Sequence, residues 1–188
     1  YGSLLWLLDK TKTCMGARKM REFIDKPLTN SGQINARLNA VEELLSNYIL
    51  RDELQSKLQM VVDIERRCGK ISANTIMPKE LLTLANSLEL MTEIKSMLAG
   101  CKSNLLVNIY NQIADLTNVA EFLKRAINKE APAVLKDGGY IADNYNTELD
   151  NLRNAKNMGK VWLLELEQAE KEKTGIKNLK TGYNKIFG

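Results

Sequence analysis

The spacing of apolar residues is the feature that most constrains what this chain can fold into. In much of the sequence apolar residues recur three and four positions apart, which places them on one face of an α-helix. Two such sets are Ile34, Leu38, Val41, Leu44 and Leu45, and Leu81, Leu84, Leu88 and Met91. Before Val134 no stretch alternates polar and apolar residues for long enough to predict a strand. The sequence therefore predicts an all-α fold.

Capping residues and prolines divide this pattern into separate helices. Ser3 is predicted to cap a short helix that runs to Leu8, and Pro27 is predicted to end a helix over Cys14 to Ile24. Pro78 suits the first turn of the helix that carries the second leucine repeat. Three further helices are predicted to begin at Asn30 or Ser31, after a break near Asn47, and at Asp63. Two more are predicted over about 103–114 and 117–129, and Pro132 is predicted to end the last of them.

The helical pattern stops at Asp137-Gly138-Gly139, runs extended for a few residues, and then gives way to the longest predicted helix. Because glycine tolerates positive φ, this stretch is predicted to form a corner. Asn144 is predicted to cap the new helix, and Thr174-Gly175 to end it. Such a helix would have roughly 29 residues and a length of about 43 Å. Since that exceeds the diameter of a small helical domain, we expect part of it to project.

Residues 176–188 change pattern once more. Leu179, Thr181 and Tyr183 alternate with polar or small neighbours, which is typical of a β-strand. A single strand is not stable alone, so we expect an extended, unpaired segment here. The sequence thus predicts three parts, which are a helical core over 1–133, a corner with a long helix over 134–175, and an extended segment over 176–188.

Composition excludes several kinds of active site. The chain contains no histidine, which excludes a histidine-based catalytic triad and the usual zinc hydrolase site. It also lacks a G-x-x-x-x-G-K-[ST] phosphate loop and a G-x-G-x-x-G motif. The cysteines Cys14, Cys68 and Cys101 have no C-x-x-C spacing, and the apolar run from Leu4 to Leu8 is too short to span a membrane. We therefore expect no catalytic residue, cofactor or metal within these residues.

The excess of positive charge is confined to the C-terminal end. The chain has a net charge of +4, and residues 171–188 alone hold five lysines and one acid. The preceding residues carry 22 basic and 22 acidic groups and are neutral overall. A basic segment that also carries asparagine and glycine suits contact with a phosphate backbone, whereas lysines at a helix C-terminus also favour the helix dipole. Charge alone favours the two interpretations equally.

Four stretches carry a family resemblance, and they occur in the family's order. They are Ser3 to Arg18 with Pro27-Leu28, Asp63-Ile-Glu-Arg66 with Pro78-Lys-Glu-Leu81, Asp137-Gly-Gly-Tyr-Ile-Ala142 with Tyr145-Asn-Thr-Glu-Leu-Asp150, and Lys173-Thr-Gly-Ile176 with Leu179 to Gly188. Together they resemble the core, or lever, domain of MutS, the DNA mismatch recognition ATPase, and the start of its clamp domain. The resemblance covers essentially the whole chain.

The resemblance implies a role for each part. Asp137, Gly138 and Gly139 would mark the corner where the chain leaves the helical core, and the long helix would be a lever that leads to a β clamp around DNA. The lever domain would link that clamp to an ATPase domain, whose ATP and magnesium site lies outside these residues. The resemblance favours DNA backbone contact by four residues at the clamp end, which are Lys177, Lys180, Asn184 and Lys185.

The resemblance also implies partners for the whole protein. These are double-stranded DNA, a second copy of the protein and other mismatch repair proteins, in the cytoplasm on the bacterial nucleoid and without a membrane partner. Two alternatives remain, which are a MutS-like paralogue that acts in recombination and a helical protein–protein scaffold with no nucleic-acid role.

Two further interpretations concern single features. Trp6 and Trp162 are expected to pack in a core, because each lies among leucines. The basic stretch from Asp9 to Lys26 is interpreted as a solvated face in preference to a second DNA contact.

Overall fold

The computed structural model describes residues 2–132 and 135–180. Within these residues the regular structure consists of nine α-helices and a short 3-10 helix, without a strand, and the all-α prediction is confirmed. The helices are α1 (Leu4–Leu8), α2 (Cys14–Asp25), α3 (Ser31–Ser46), α4 (Tyr48–Met60), α5 (Ile64–Ser72), α6 (Pro78–Leu98), α7 (Asn104–Gln112), α8 (Thr117–Ala126) and α9 (Thr147–Thr174).

Backbone contacts divide the chain into two compact units. The first unit ends at Ala142 and contains α1 to α8, whereas the second begins at Asp143 and contains α9. The part boundaries expected from the sequence, after residues 133 and 175, stay predictions.

Most helices begin where the capping residues predict. The Ser3 hydroxyl accepts a hydrogen bond from the Trp6 backbone N–H at 3.1 Å, and Pro78 is the first residue of α6. The side chains of Asn30, Asn47 and Asp63 cap α3, α4 and α5 in the same way. The predicted end of α8 near residue 129 is wrong, because the helix ends at Ala126. The next residue, Ile127, leaves the helix to form a β-bridge with Ile141.

The core of the first unit lies around α6, which packs against α4, α5, α7 and α8. Ala85 of α6 and Ala120 of α8 are both completely buried and belong to the same apolar cluster. A second cluster joins the other end of α6 to α3, α4 and α7 through Ala40, Leu54, Ile94, Leu98 and Leu106. Small side chains allow two helices to approach closely, so the alanine pair fits α8 tightly onto α6.

A buried serine hydroxyl of α6 binds the backbone at the break between α4 and α5. Ser87 of α6 is 1% exposed, and its hydroxyl accepts a hydrogen bond from the Val62 backbone N–H at 3.0 Å. The same hydroxyl donates to the Thr83 carbonyl at 3.2 Å. Since both bonds are made inside the protein, the buried serine carries no unsatisfied hydrogen-bonding group.

Charged side chains fix α5 between α2 and α6. The Arg18 guanidinium of α2 donates to both carboxylate oxygens of Asp63, at 2.7 and 2.9 Å, and to Glu65 at 2.6 Å. The same Asp63 carboxylate caps α5, because it accepts from the Arg66 backbone N–H at 3.1 Å. The Arg18 guanidinium holds the pKa of Asp63 at about 2, well below the ordinary value of 3.8.

On its other side α5 is tied to the start of α6. Glu80 forms ion pairs with Arg67 and with Lys70, the latter at 2.7 Å. Its second oxygen accepts from the Met77 backbone N–H at 3.1 Å, which satisfies the backbone donor at the N-cap of α6. The helix that begins at the Asp63-Ile-Glu-Arg66 motif is therefore tied to the Pro78-Lys-Glu-Leu81 motif through Arg67 and Lys70. Arg18 of α2 pairs with the first motif alone.

Acid should weaken the first unit through Asp63. Because its pKa is lower in the folded state than in the unfolded chain, ionised Asp63 stabilises the fold above pH about 4, and this contribution is lost as the pH falls towards about 2. We expect the free energy of unfolding, from urea titrations between pH 5 and pH 2, to fall more steeply in the wild type than in Asp63→Asn. Asparagine keeps the helix cap but removes the charge and one of the two oxygens that accept from Arg18. Parallel curves for the two proteins would contradict this expectation.

Candidate nucleic-acid interface

The corner at Asp137-Gly138-Gly139 is fastened to the end of α8. The Asn128 side-chain amide donates to the Gly139 carbonyl at 3.0 Å, and the Asn128 backbone N–H donates to the Tyr140 carbonyl at 2.9 Å. Two residues further on, the Ala142 N–H donates to the Ala126 carbonyl at 2.9 Å. The short extended stretch after the glycines is therefore paired with the last residue of α8 and the residues that follow it.

Both corner glycines adopt backbone conformations that favour glycine. Gly138 has a φ of 68° and Gly139 a φ of 73°, and no atom lies within 4 Å of the place where either Cβ would be. There is room for a side chain at both positions, so glycine is favoured here by the left-handed backbone conformation and not by lack of space. Asp137 ends the 3-10 turn that precedes them, and the Gly138 N–H donates to the Leu135 carbonyl.

The start of α9 differs from the sequence-based prediction. The cap is Asn146, whose side chain accepts from the Leu149 backbone N–H at 2.9 Å, so the prediction of Asn144 as the cap is wrong. Asn144 instead has a φ of 62°, and its N–H donates to the Asp150 carboxylate at 3.0 Å. Asparagine suits both positions, since it is a good cap and also tolerates positive φ, and the sequence alone does not separate the two uses.

Ion pairs hold the first turn of α9 to the residue that opens the second unit. The Arg153 guanidinium contacts the Asp143 carboxylate at 2.8 Å and the Asp150 carboxylate at 3.4 Å. Acidic residues in this turn, Glu148 and Asp150, also complement the positive end of the helix dipole.

The end of α9 follows the prediction closely. Gly175 has a φ of 70° and caps the helix, with its N–H donating to the Lys171 carbonyl at 2.9 Å. Lys171 forms an ion pair with Glu167 at 2.6 Å, and Lys173 lies 3.8 Å from Glu170. These two lysines are therefore balanced by carboxylates of their own helix.

Lys177 and Lys180 lie beyond the helix, are exposed, and form no ion pair with any described residue. The backbone makes a turn here, with the Leu179 N–H donating to the Ile176 carbonyl at 3.2 Å. The other two predicted DNA-contact residues, Asn184 and Lys185, and most of the predicted strand lie outside the described residues. The described part of the segment therefore carries two positive charges that nothing in it neutralises.

Many apolar side chains of α9 are exposed, and none of the helix's residues, all of which are described, is buried. The most exposed are Leu152, Met158, Val161, Trp162 and Leu164. Trp162 is 60% exposed and Trp6 of α1 is 50% exposed, so the prediction that both tryptophans pack in a core is wrong. Most of their leucine neighbours are themselves exposed, and an apolar neighbourhood in sequence therefore did not indicate burial.

The basic stretch from Asp9 to Lys26 is partly neutralised. Arg18 is paired with Asp63 and Glu65, and Lys19 contacts Glu22 at 2.9 Å. The interpretation of the stretch as a solvated face stays a prediction.

Neither a metal site nor a membrane span is present in the parts of the chain that the structure describes. Among residues 2–132 and 135–180, no group of three or more cysteine, aspartate and glutamate side chains could hold a metal ion. No helix in those two ranges is both long and apolar enough to cross a membrane.

Comparison with known proteins decides the family. The family model of MutS domain III matches residues 1–181. This chain belongs to the MutS domain III family. The DNA mismatch repair protein MutS of Lachnoclostridium phytofermentans is 47% identical to this domain III over 187 residues. The MutS proteins of Clostridium tetani and of Clostridium botulinum strain Langeland are 45% and 46% identical over the same length.

The alignments cover very different shares of this chain and of its relatives. The alignments cover 100% of this domain III but 20%, 21% and 20% of the three relatives, so the chain spans about a fifth of their length.

Replacement of Gly139 tests the corner. We expect Gly139→Val to lower the free energy of unfolding by more than about 1 kcal/mol, because a β-branched residue tolerates positive φ badly. Gly139→Asn should cost much less, since asparagine adopts this conformation more readily. Urea midpoints of the two variants provide the measurement.

The control is Gly159, which lies inside α9 with no atom near its missing Cβ. Gly159→Ala should stabilise the helix by about 0.5–1 kcal/mol. If valine and asparagine at position 139 have the same effect, the corner does not depend on the backbone conformation of glycine.

Proposed function

We propose that this chain is the lever-bearing part of a DNA mismatch repair protein of the MutS type, and that it links a DNA clamp to an ATPase domain. The observation that carries the proposal is the match of residues 1–181 to MutS domain III, together with 47% identity over the chain to a protein named DNA mismatch repair protein MutS. No catalytic role is proposed for these residues.

The long helix is suited to such a link. With 28 residues, α9 has a length of about 42 Å. Its start is fixed by the Asn146 cap and the Arg153 ion pairs, and its end by Gly175. A continuous helix with defined ends can transmit a rigid-body rotation over its whole length, which a loop of equal length cannot.

The segment after α9 is proposed to contact the DNA backbone. Lys171 and Lys173 are balanced by Glu167 and Glu170, whereas Lys177 and Lys180 are exposed and without an ion pair among the described residues. An unpaired, solvated lysine can approach a phosphate without first giving up a carboxylate. We therefore assign the contact to Lys177 and Lys180 together with Lys185 and Asn184, and not to the lysines of the helix.

The other requirements of the reaction would be met by the rest of the protein. We propose that ATP and magnesium bind outside these residues, that the whole protein acts as a homodimer together with other mismatch repair proteins, and that it works on cytoplasmic DNA. The corner at Gly138 and Gly139 is proposed to set the point from which the lever leaves the helical core.

A salt titration of DNA binding tests the contact. We expect the 188-residue chain to bind duplex DNA non-specifically, with a dissociation constant of about 10⁻⁴ to 10⁻⁶ M, and with a log–log salt slope of roughly −3 for three phosphate contacts. Changing Lys177, Lys180 and Lys185 together to glutamine should abolish most of this slope. Matched and mismatched duplexes should bind equally, because phosphate contacts carry no sequence information. Fluorescence anisotropy of a labelled duplex at several salt concentrations provides the measurement.

The matched control changes three other exposed lysines, Lys10, Lys12 and Lys26, which form no ion pair with a described residue. This control removes the same charge and should leave the slope unchanged. If the control loses the slope instead, the assigned contact is wrong. If duplex DNA does not bind even at low salt, the scaffold alternative is favoured over a DNA contact by this segment.

A helix break tests the link. In the whole protein, Lys160→Pro should uncouple ATP hydrolysis from DNA, because proline removes a backbone hydrogen bond in the middle of α9 and kinks it. We expect the rate of ATP hydrolysis without DNA to be retained and its response to DNA to be lost, as measured in a steady-state ATPase assay. Lys160→Ala, which keeps the helix, should respond to DNA like the wild type. A normal DNA response in Lys160→Pro would contradict the lever role.

A further inference from the structure

The first two helices are attached to the first unit in an unusual way. None of the residues of α1 or α2, all of which are described, is buried. By contrast, α6 alone contributes seven buried residues to the core. Burial of apolar side chains is the main source of stability, and α1 and α2 are attached to the body with little apolar burial.

An apolar contact and a cation–π contact join α2 to the body. Met15 is partly buried against the cluster formed by α3, α4, α6 and α7. Phe23 lies under the Arg37 guanidinium of α3, with 3.8 Å between the guanidinium carbon and the ring centre. Phe23 and Arg37 are both partly buried, so this stacking contributes to the attachment of α2 alongside its other contacts.

The Arg18 ion pairs are the third and most directional contact. Arg18 makes a bidentate bond with Asp63 and a further bond with Glu65, so one side chain supplies three charge-assisted hydrogen bonds between α2 and α5. The Asp63 side chain is only 13% exposed, whereas that of Arg18 is 45% exposed. A partly buried carboxylate with a bidentate arginine is worth more than an ordinary surface pair.

We propose that α1 and α2 (residues 4–25) form an arm that can detach as a unit from the folded body, and that the ion pairs of Arg18 with Asp63 and Glu65 are its latch. The arm contains a packed helix pair, since α1 contacts α2. It carries four exposed apolar side chains in α1 alone, and these are Leu4, Trp6, Leu7 and Leu8. Segments with few buried contacts open before the rest of a protein unfolds, and the arm meets this condition.

Detachment would depend on the strength of the Arg18 ion pairs and would change the surface at the start of α5. Opening exposes the Asp63 carboxylate at the start of α5, leaves Glu65 without its arginine partner, and frees the Arg18 guanidinium. Salt screens exposed charges, so the latch is weaker at high ionic strength. The proposal is independent of the DNA contact proposed for the other end of the chain, because it involves only residues of the first unit.

Amide hydrogen exchange of the 188-residue chain, followed by mass spectrometry or NMR, tests the latch. In Arg18→Gln we expect the amides of α2 to exchange about tenfold faster than in the wild type, with the amides of α6 unchanged. Asp63→Asn should have the same effect from the other side of the pair, because asparagine still caps α5. Raising the salt concentration from about 50 to about 500 mM should accelerate α2 exchange in the wild type but hardly in Arg18→Gln.

Arg21→Gln is the matched control. Arg21 lies on the same helix, is exposed, and forms no ion pair with a described residue, so this variant removes the same charge without touching the latch. Unchanged α2 exchange in Arg18→Gln and Asp63→Asn would overturn the proposal. Equal acceleration in α2 and α6 would overturn it as well, because the arm and the body would then open as one cooperative unit.

Discussion

The burial of α6 among its neighbours is the constraint on which the rest of the first unit depends. One helix must present a face to each of α4, α5, α7 and α8, and it does so with leucines, an isoleucine, a fully buried alanine and one serine. The alanine pair Ala85 and Ala120 lets α8 lie close, and the Ser87 hydroxyl satisfies a backbone group at the α4–α5 break. Glu80 at its N-terminal turn then fixes α5 through Arg67 and Lys70. The end of α8, and with it the corner at Gly138 and Gly139, takes its place from this packing.

Much of this fold could be predicted from local patterns, because helix signals are local. The spacing of leucines, the caps at Ser3 and Asp63, Pro78 at the start of α6 and Gly175 at the end of α9 each act within one or two turns. What could not be predicted depends on distant residues. Arg18 and Asp63 are 45 positions apart, and no periodicity relates them. Asn128 holds the corner 11 positions away, and the pairing that shortens α8 is equally non-local.

The tryptophans show a different limit of sequence reasoning. Apolar spacing reveals which face of a helix is able to pack, but not whether a partner for that face is contained in the chain. On α9 the apolar side chains lie exposed, and the chain corresponds to about a fifth of the length of its MutS relatives. For the charged segment, the sequence located the excess of lysines correctly. Only the structure separated the lysines paired within α9 from Lys177 and Lys180 beyond it.

The fastening of the corner to α8 also has a consequence for protein engineering. Asn128 and Tyr140 form the base of a loop whose two ends are joined to each other by hydrogen bonds. The first residues of the loop are held as well, because Asn128 accepts hydrogen bonds from the Glu130 and Ala131 N–H groups and Ala131 is buried. Extra residues inserted directly before Leu135, which is 49% exposed, would lengthen this loop while its base stays closed, and each doubling of loop length costs only about 0.6 kcal/mol. A fluorophore-bearing or tag-bearing peptide could therefore be accommodated there without moving the backbone at Gly139 and Ala142. Because the hydrogen bonds of Asn128 close the base of the loop, the loop can change in length without a change in the backbone that follows it. This loop is therefore an insertion site within an otherwise tightly packed helical unit.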